Sequence, residues 1–299
     1  MVKNYGHEMT ETNTVQKAFL LGNPRSGTSL LRLIMNSHSK IVAPPECGFL
    51  HWWYQKYRDW NLGSLSTSLD NYLADLLTSK KIETWNIDRN RLREYLYREK
   101  PSDYAALSAA VYLYYAQQDS FEKPCLIVDK NNYYIHHIDE IIKAWPDATI
   151  VHLVRDGRDV ACSYRETMGI DTPSPYKPNL SVDLSQIARE WRDNNETIAT
   201  KAKELGVKYI LIRYEDIVER PANTLTVLLS SWSLEYEPAV LDYHSKQAEP
   251  DATIDWKRLT KKPLDNARIG RYKNDLSVNA RQQFESIADD TLRAYGYIL

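Results

Sequence analysis

The chain has 299 residues, enough for one large α/β domain or two small ones with a sizeable core. A formal net charge of −2 gives no global attraction to nucleic acid or to a membrane surface, and no run approaches the roughly 18 apolar residues of a membrane span. Three separated cysteines without CxxC spacing argue against a disulfide framework or a zinc site, and the polar first segment lacks an apolar signal region, so we expect a cytoplasmic protein without a bound metal.

Strand and helix patterns alternate along the chain and predict an α/β fold in which helices flank a central parallel sheet. The predicted strands span residues 17–22, 125–129, 149–154 and 208–213. The predicted helices span residues 26–38, 68–80, 88–100, 103–118, 134–145, 156–168 and 184–205. Several of these helices form a long insertion between the first two strands. Because no linker divides the chain, we expect a flexible segment over residues 1–16 and a single domain over residues 17–299.

The most informative feature is the loop after the first strand. An apolar run ends at Gly22, and a helical pattern begins near Thr28. Unpaired N–H groups at a helix start, together with the helix dipole, make such a loop an anion site. The spacing from Gly22 to Gly27 matches a P-loop, but Thr28 stands where the P-loop lysine belongs, and Arg25 lies inside the loop. The loop is therefore predicted to hold a phosphate-like group without hydrolysing a nucleoside triphosphate.

A second anion site is predicted where the third strand ends. Arg155 stands at the edge where open α/β sheets bind ligands, and Ser163 follows about two helical turns later, near enough to share an anion. Arginine suits phosphate because its planar fork donates two parallel hydrogen bonds. The alternative is that the charged residues here only cap the helix and pair among themselves, namely Arg155, Asp156, Arg158 and Asp159. Taken together with the loop after the first strand, the pattern favours two separate anion sites at strand ends over this alternative.

In these stretches the chain resembles the sulfotransferases that use 3′-phosphoadenosine-5′-phosphosulfate (PAPS). Residues 24–29 are similar to the family's 5′-phosphosulfate loop, and residues 154–163 to its 3′-phosphate element. Residues 213–216 and 269–277 fit the same family, which the chain resembles more in its tyrosylprotein and bacterial branches than in its cytosolic phenol and steroid branch. The resemblance implies a P-loop NTPase-like fold. It also implies in-line transfer of a sulfuryl group without a metal, with 3′,5′-adenosine bisphosphate (PAP) as product.

The resemblance also implies which residues bind the donor. The 5′-phosphosulfate would lie against residues of the first loop, namely Arg25, Ser26, Gly27, Thr28 and Ser29. The 3′-phosphate would lie against Arg155 and Ser163. Further contacts are left open among three C-terminal residues, namely Arg268, Arg271 and Lys273.

Catalytic roles follow from the same resemblance. Arg25 and Lys130 would stabilise the charge that builds on the transferred group and on the bridging oxygen. Glu46 would take the acceptor's proton, because the tyrosylprotein branch and some bacterial relatives have a glutamate at this distance from the first loop. Asn132 occupies the position of the cytosolic branch's catalytic histidine. The alternative for Lys130 is a solvated or aspartate-paired lysine, and the alternative for Glu46 is a surface glutamate.

The acceptor is predicted only by class. The aromatic residues 49–60 follow Glu46 and are expected to line or cover the acceptor pocket, which favours a flat, apolar acceptor. The acceptor could be a small molecule, glycan, lipid or peptide that offers a hydroxyl or an amine. Two other functions stay open: a P-loop nucleotide kinase or NTPase, and a non-catalytic protein of the same fold that binds adenine nucleotides.

Overall fold

A five-stranded parallel sheet lies at the centre of the computed structural model, which describes residues 15–118, 124–246 and 249–298. Its strands are β1 (Gln16–Leu21), β2 (Ile41–Val42), β3 (Leu126–Lys130), β4 (Thr149–Val154) and β5 (Tyr209–Arg213). Their order across the sheet is β2-β3-β1-β4-β5, and every neighbouring pair runs parallel. The predicted fold class is confirmed. Residues 1–14 of the predicted flexible segment lie outside the described residues.

Helices cover both faces of this sheet. The first eight are α1 (Thr28–Asn36), α2 (Phe49–Trp52), α3 (Tyr54–Tyr57), α4 (Ser64–Thr67), α5 (Leu69–Leu77), α6 (Arg89–Glu99), α7 (Tyr104–Gln118) and α8 (Ile138–Ala144). The others are α9 (Gly157–Met168), α10 (Leu184–Glu204), α11 (Tyr214–Glu219), α12 (Pro221–Ser230), α13 (Asp251–Lys257), α14 (Tyr272–Asp275) and α15 (Val278–Ala294). Every helix of the described residues is too short or too polar to cross a bilayer.

The sequence prediction differs from the structure in several places. The short helices α2, α3 and α4 and the C-terminal helices α13, α14 and α15 were not predicted. Strand β2 was not predicted, because two residues are too few to show a strand pattern, so the helical insertion follows β2 rather than β1. The predicted helix 134–145 is broken into a 3₁₀ turn, Asn132–His136, and the helix α8. The break lies at His137, whose backbone has a φ of −137° and therefore does not continue the helix.

The central strand β1 is buried on both faces. It lies between β3 and β4, so the residues that follow these three strands meet at one edge of the sheet. Phe19 and Leu21 pack on one face, and Phe19 stacks on Trp145 with 5.3 Å between ring centroids. In the sheet register, Leu20 lies beside Lys130 of β3, and Leu21 lies beside His152 of β4. The residues that follow β1, β3 and β4 therefore share one edge, which is where parallel sheets bind ligands.

A buried charge network fastens the C-terminal segment to this edge. The guanidinium of Arg32 on α1 donates to Glu249 Oε2 at 2.6 Å and to the Ala43 carbonyl at 2.9 Å. The other carboxylate oxygen of Glu249 accepts hydrogen bonds from Lys257 and, at 2.9 Å, from Thr253. Burial opposes the ionisation of Glu249, but the charges on Lys257 and Arg32 lower its pKa to about 2. The network thus holds α13 against α1.

Gly27→Ala should destabilise the fold more than Gly206→Ala. Both glycines have left-handed backbones, with φ of +100° and +63°, and a side chain there costs about 1–2 kcal/mol. A Cβ at Gly27 would also lie 2.5 Å from Tyr214 Cδ2, adding about 1–3 kcal/mol of overpacking, whereas nothing lies within 4 Å of a Cβ at Gly206. Urea denaturation measures both free energies of unfolding, and equal losses would contradict this packing.

Glu249→Gln should reduce stability at pH 7 by about 3–5 kcal/mol, because it leaves two buried cations without their carboxylate. Since the folded pKa of Glu249 lies below its unfolded value, its contribution is present above about pH 4.5 and is lost as the pH falls toward 2. The variant should therefore lose less stability over that interval than the wild type. Asp70→Asn, which breaks an exposed pairing with Arg93, is the control and should cost at most about 1 kcal/mol. A pH dependence identical to that of the wild type would contradict the role of Glu249.

Candidate active site

A cavity of about 310 Å³ opens at the ligand edge of the sheet. The loop after β1 forms its floor, the residues after β3 and β4 form its sides, and residues 253–271 close it from the C-terminal part of the chain. The loop over residues 171–179 reaches the same cavity through Tyr176 and Pro178. It contacts α13, where Thr172 hydrogen-bonds to Asp255 at 2.5 Å.

The loop after β1 has the backbone of an anion site. Arg25 and Gly27 both adopt left-handed conformations, with φ of +68° and +100°. Helix α1 then begins at Thr28, and among the described residues no side chain caps it. Gly27, Thr28 and Ser29 line the cavity, so the N–H groups of the first turn are available to a ligand. Ser26 is fully buried instead, and its hydroxyl has no hydrogen-bond partner among the described residues.

Two arginines face each other above this loop. The guanidinium of Arg25 donates to Ser163 Oγ at 3.2 Å and to the Trp256 carbonyl at 2.9 Å. Arg155 donates to the Arg25 carbonyl at 3.4 Å and to the Arg268 carbonyl at 2.7 Å, and its guanidinium lies 4.4 Å from the centroid of the Tyr214 ring.

Neither arginine forms an ion pair with a carboxylate of the described residues. Burial and the charge of Arg155 lower the pKa of Arg25 to about 10. The Nε of Arg155 is buried and has no partner in the described part of the chain. Glu166 acts on Arg25 and Asp159 interacts with Arg155 only through space, and cations that are removed from water without a directly paired carboxylate are costly. This pair is therefore a strong candidate for binding an anionic ligand.

The pairing alternative holds for the neighbours of Arg155 but not for Arg155 itself. Asp156 caps α9 and pairs with Arg158 at 2.7 Å, and Arg158 also binds Glu285 at 2.6 Å. Asp159 has a different part, because its carboxylate accepts the N–H groups of Gly270 at 2.7 Å and of Tyr272 at 2.9 Å. It thereby holds the C-terminal loop against the cavity.

That loop carries two of the predicted 3′-phosphate residues into the cavity lining. Glu166 binds both of them, Arg268 at 2.9 Å and Arg271 at 2.7 Å. Burial opposes its ionisation, but hydrogen bonds from Arg271 and Arg268 lower the pKa of Glu166 to about 2. Lys273 is exposed and lies outside the lining.

The predicted base and the predicted lysine meet in the same cavity. Lys130 Nζ donates to Glu46 Oε1, and Lys81 Nζ donates to Glu46 Oε2 at 2.8 Å. Burial alone would raise the pKa of Glu46, but Lys130, Lys257 and Lys81 hold it well below its ordinary value. Burial lowers the pKa of Lys130 to about 8 against the opposing charge of Glu46. Neither the surface-glutamate alternative nor the solvated-lysine alternative matches this buried pair.

The aromatic residues 49–60 do not form the cavity wall that was predicted for them. Most of the larger ones pack in the core, including the fully buried Phe49. The rings that line the cavity come from five separate segments, namely Tyr133, Tyr176, Tyr214, Tyr243 and Trp256. In this protein the dense aromatic run serves core packing, and its rings contact one another and neighbouring rings.

One further cluster lies beside the cavity without lining it. Possible metal-ligand atoms of His51, His137 and Glu140 lie within 4.8 Å of one another, and the ring of Tyr133 stands 4.4 Å from that of His137. The cluster is separate from Glu46 and Lys130, and the metal-free reaction stays a prediction.

Comparison with known proteins relates this architecture to one family. The family model described as "Sulfotransferase family" matches residues 18–238. The nodulation protein NoeE of Sinorhizobium fredii is 24% identical over 295 residues, which cover 93% of this chain and 65% of that protein. An uncharacterized protein of Aquifex aeolicus is 25% identical over 283 residues, which cover 93% of this chain and 34% of that protein. The chain thus spans less than two thirds of the length of either relative.

Two solved structures share the fold. The sulfotransferase domain of the Synechococcus PCC 7002 olefin synthase superposes with a TM-score of 0.58 at 23% identity, covering 91% of this chain and 94% of that one. The sulfotransferase domain from the curacin biosynthetic pathway gives a TM-score of 0.55 at 20% identity, covering 92% of this chain and 97% of that one. With a family match over most of its length and the fold of these domains, the chain belongs to the sulfotransferase family.

Proposed function

We propose that the protein transfers a sulfuryl group from PAPS to a hydroxyl or amine of an acceptor and releases PAP. The observation that carries this proposal is a pair of arginines, the half-buried Arg25 and the buried Arg155, in one cavity with the ion-paired Glu46 and Lys130. An anion site beside a base and a cation is the set of groups that such a transfer requires. Because the cavity draws on residues from the first loop to Arg271, we also propose that residues 17–299 act as one domain.

The donor residues are proposed to contact the two ends of the nucleotide, its 5′-phosphosulfate and its 3′-phosphate. Arg25, Thr28, Ser29 and the N–H groups of the first turn would hold the 5′-phosphosulfate. At the other end, Arg155 would bind the 3′-phosphate, and Arg268 and Arg271 keep N–H donors beyond those that Glu166 accepts. Ser163 lies against Arg25, so it would orient that arginine as well as contact the ligand. Lys273 is left out of this assignment because it lies outside the cavity lining.

The chemistry then assigns Glu46 and Lys130 separate parts. Glu46 takes the proton of the acceptor while the acceptor's oxygen or nitrogen forms its bond to sulfur. The bond from sulfur to the bridging oxygen breaks, and its electron pair stays on the leaving 5′-phosphate. Lys130 stabilises that new charge, and Arg25 stabilises the sulfuryl oxygens. No electron is gained or lost overall.

The walls near Glu46 support an acceptor with an apolar part. Tyr133 and Tyr176 line the cavity together with Pro178 and Leu180, and rings of this kind can pack on a phenol, a lipid or a sugar face. We propose a small-molecule or glycan acceptor on this basis.

The geometry counts against a kinase or NTPase. Thr28 stands in the lysine's place, and its hydroxyl lies 3.3 Å from Asn132 Oδ1. Asp129, which could have acted as a magnesium ligand, is buried and accepts a hydrogen bond from the Tyr112 hydroxyl at 2.7 Å. Burial raises the pKa of Asp129 to about 7, and its side chain is held in the core rather than in the cavity lining. The intact pair of Glu46 and Lys130 likewise counts against a protein that has lost its chemistry.

Arg155→Met should weaken PAP binding about 10- to 150-fold, since a charged hydrogen bond contributes about 1.5–3 kcal/mol. At 100 times its Kd, PAP should stabilise the wild type by about 2.7 kcal/mol, and thermal shift and calorimetry would measure both effects. Arg165→Met changes an exposed arginine of helix α9, which follows Arg155 in the chain, and should bind PAP as the wild type does. Equal affinities for all three proteins would remove Arg155 from the site.

Glu46→Gln should lower kcat about 10²- to 10⁴-fold, because general-base assistance is lost, while PAP affinity is kept. The assay uses labelled PAPS with an acceptor identified by screening phenols, sterols, glycans and peptides. Glu83→Gln is the control, because its carboxylate is exposed and bonds to Tyr176 rather than facing Lys130. Near-normal turnover of Glu46→Gln would exclude Glu46 as the base.

A further inference from the structure

The carboxylate of Glu46 is held by two ammonium groups, and only one of them has a place in the proposed reaction. Lys130 binds Oε1 and Lys81 binds Oε2. The side chain of Lys130 is 3% exposed, that of Glu46 is 17% exposed and that of Lys81 is 22% exposed. Each oxygen of Glu46 thus already accepts from an ammonium group, so the acceptor's proton must compete with Lys130 for Oε1 or with Lys81 for Oε2.

The chain holds Lys81 in this position with some backbone strain. Its φ is +73°, a left-handed conformation that is unfavourable for a residue with a side chain. The 3₁₀ turn Ile82–Trp85 follows directly, and the Trp85 indole donates to the Pro45 carbonyl at 2.9 Å. That bond fixes the turn to the residue before Glu46. Strain that persists next to an active-site group is characteristic of a functional constraint.

Other groups around Glu46 cannot replace Lys81. Lys257 of α13 acts on Glu46 through space but binds Glu249, and Asp129 of β3 faces the core. The ring of Tyr176 covers the ammonium of Lys81 at 5.8 Å, which limits its contact with water. Among the described residues, Lys81 and Lys130 are the cations that pair directly with this carboxylate.

We infer that Lys81 is a positioning residue: it holds Oε2 of Glu46 while Lys130 turns from Oε1 to the donor, so that Oε1 is free to take the acceptor's proton. The inference rests on the proposed function. It follows from the positions of the charges, because the leaving 5′-phosphate is more anionic than one carboxylate and draws Lys130 away. Lys81 then becomes the remaining group that keeps Glu46 ionised and in place.

The test compares Lys81→Met, Lys81→Arg and Lys80→Met. Lys80 is the matched control, since it is exposed and contacts the same Tyr176 ring at 5.7 Å without binding Glu46. With ¹³C-labelled glutamate, and Glu46→Gln to assign the signal, NMR titration gives the pKa of Glu46 with and without PAP. Lys81→Met should raise that pKa by about 1 unit, and by more with PAP bound, because an attractive opposite charge is lost.

In the transfer assay, Lys81→Met should lower kcat about 10- to 100-fold through misplacement of the base. The acidic limb of its kcat/KM profile should move to higher pH, whereas Lys81→Arg and Lys80→Met should keep the wild-type limb. An unchanged Glu46 pKa in folded Lys81→Met, or an unchanged limb, would overturn the inference. If the wild type transfers no sulfuryl group to any acceptor, the proposed function fails. The NMR titration then still decides whether Lys81 holds the carboxylate.

Discussion

Two guanidinium groups, one half-buried and one buried, that pair with no carboxylate of the described residues are the constraint around which this structure is arranged. Burial of such charges is unfavourable unless neighbouring groups or a ligand compensate it. The fold compensates Arg25 and Arg155 in part, through main-chain carbonyls and through the Tyr214 ring. It achieves this by bringing Trp256 and Arg268 from the C-terminal segment over the ligand edge of the sheet. The remaining deficit of negative charge is what an anionic ligand would supply.

The same imbalance of charge extends from the arginines to the base. Around Glu46 and Glu249 lie Arg32, Lys81, Lys130 and Lys257, so cations outnumber carboxylates in these ion pairs at and behind the cavity wall. The net charge of the whole chain is −2, so this local excess of positive charge cannot be seen in the composition. A local excess of positive charge would attract an anionic donor and would also keep the base ionised. A single arrangement of charges therefore serves the proposed binding and the proposed proton transfer.

Much of the fold could be predicted from the sequence, and the site only in part. The strands of five or six residues were predicted to within one residue, because each is a run of apolar residues. The loop at Gly22–Thr28 was also predicted, because its glycines mark a turn. Lys81 and Asp159 could not be assigned roles, because their partners are distant in the chain and no local pattern marks a lysine or an aspartate as buried. The aromatic residues after Glu46 were wrongly predicted to line the cavity. Their dense pattern is visible in the sequence, but it does not show whether the rings face a cavity or the core. Tertiary packing decides those cases.

The charges of this cavity suit a nucleotide with phosphates at both the 3′ and 5′ positions. Calorimetric titration of one protein sample with PAP, with adenosine 5′-phosphate and with ATP in the presence of magnesium tests it most directly. We expect PAP to bind at least about 10-fold more tightly than adenosine 5′-phosphate, because Arg155 gains a charged hydrogen bond to the 3′-phosphate. PAP binding should also be independent of magnesium. Tighter binding of ATP with magnesium than of PAP would show that the cavity does not select a 3′,5′-bisphosphate.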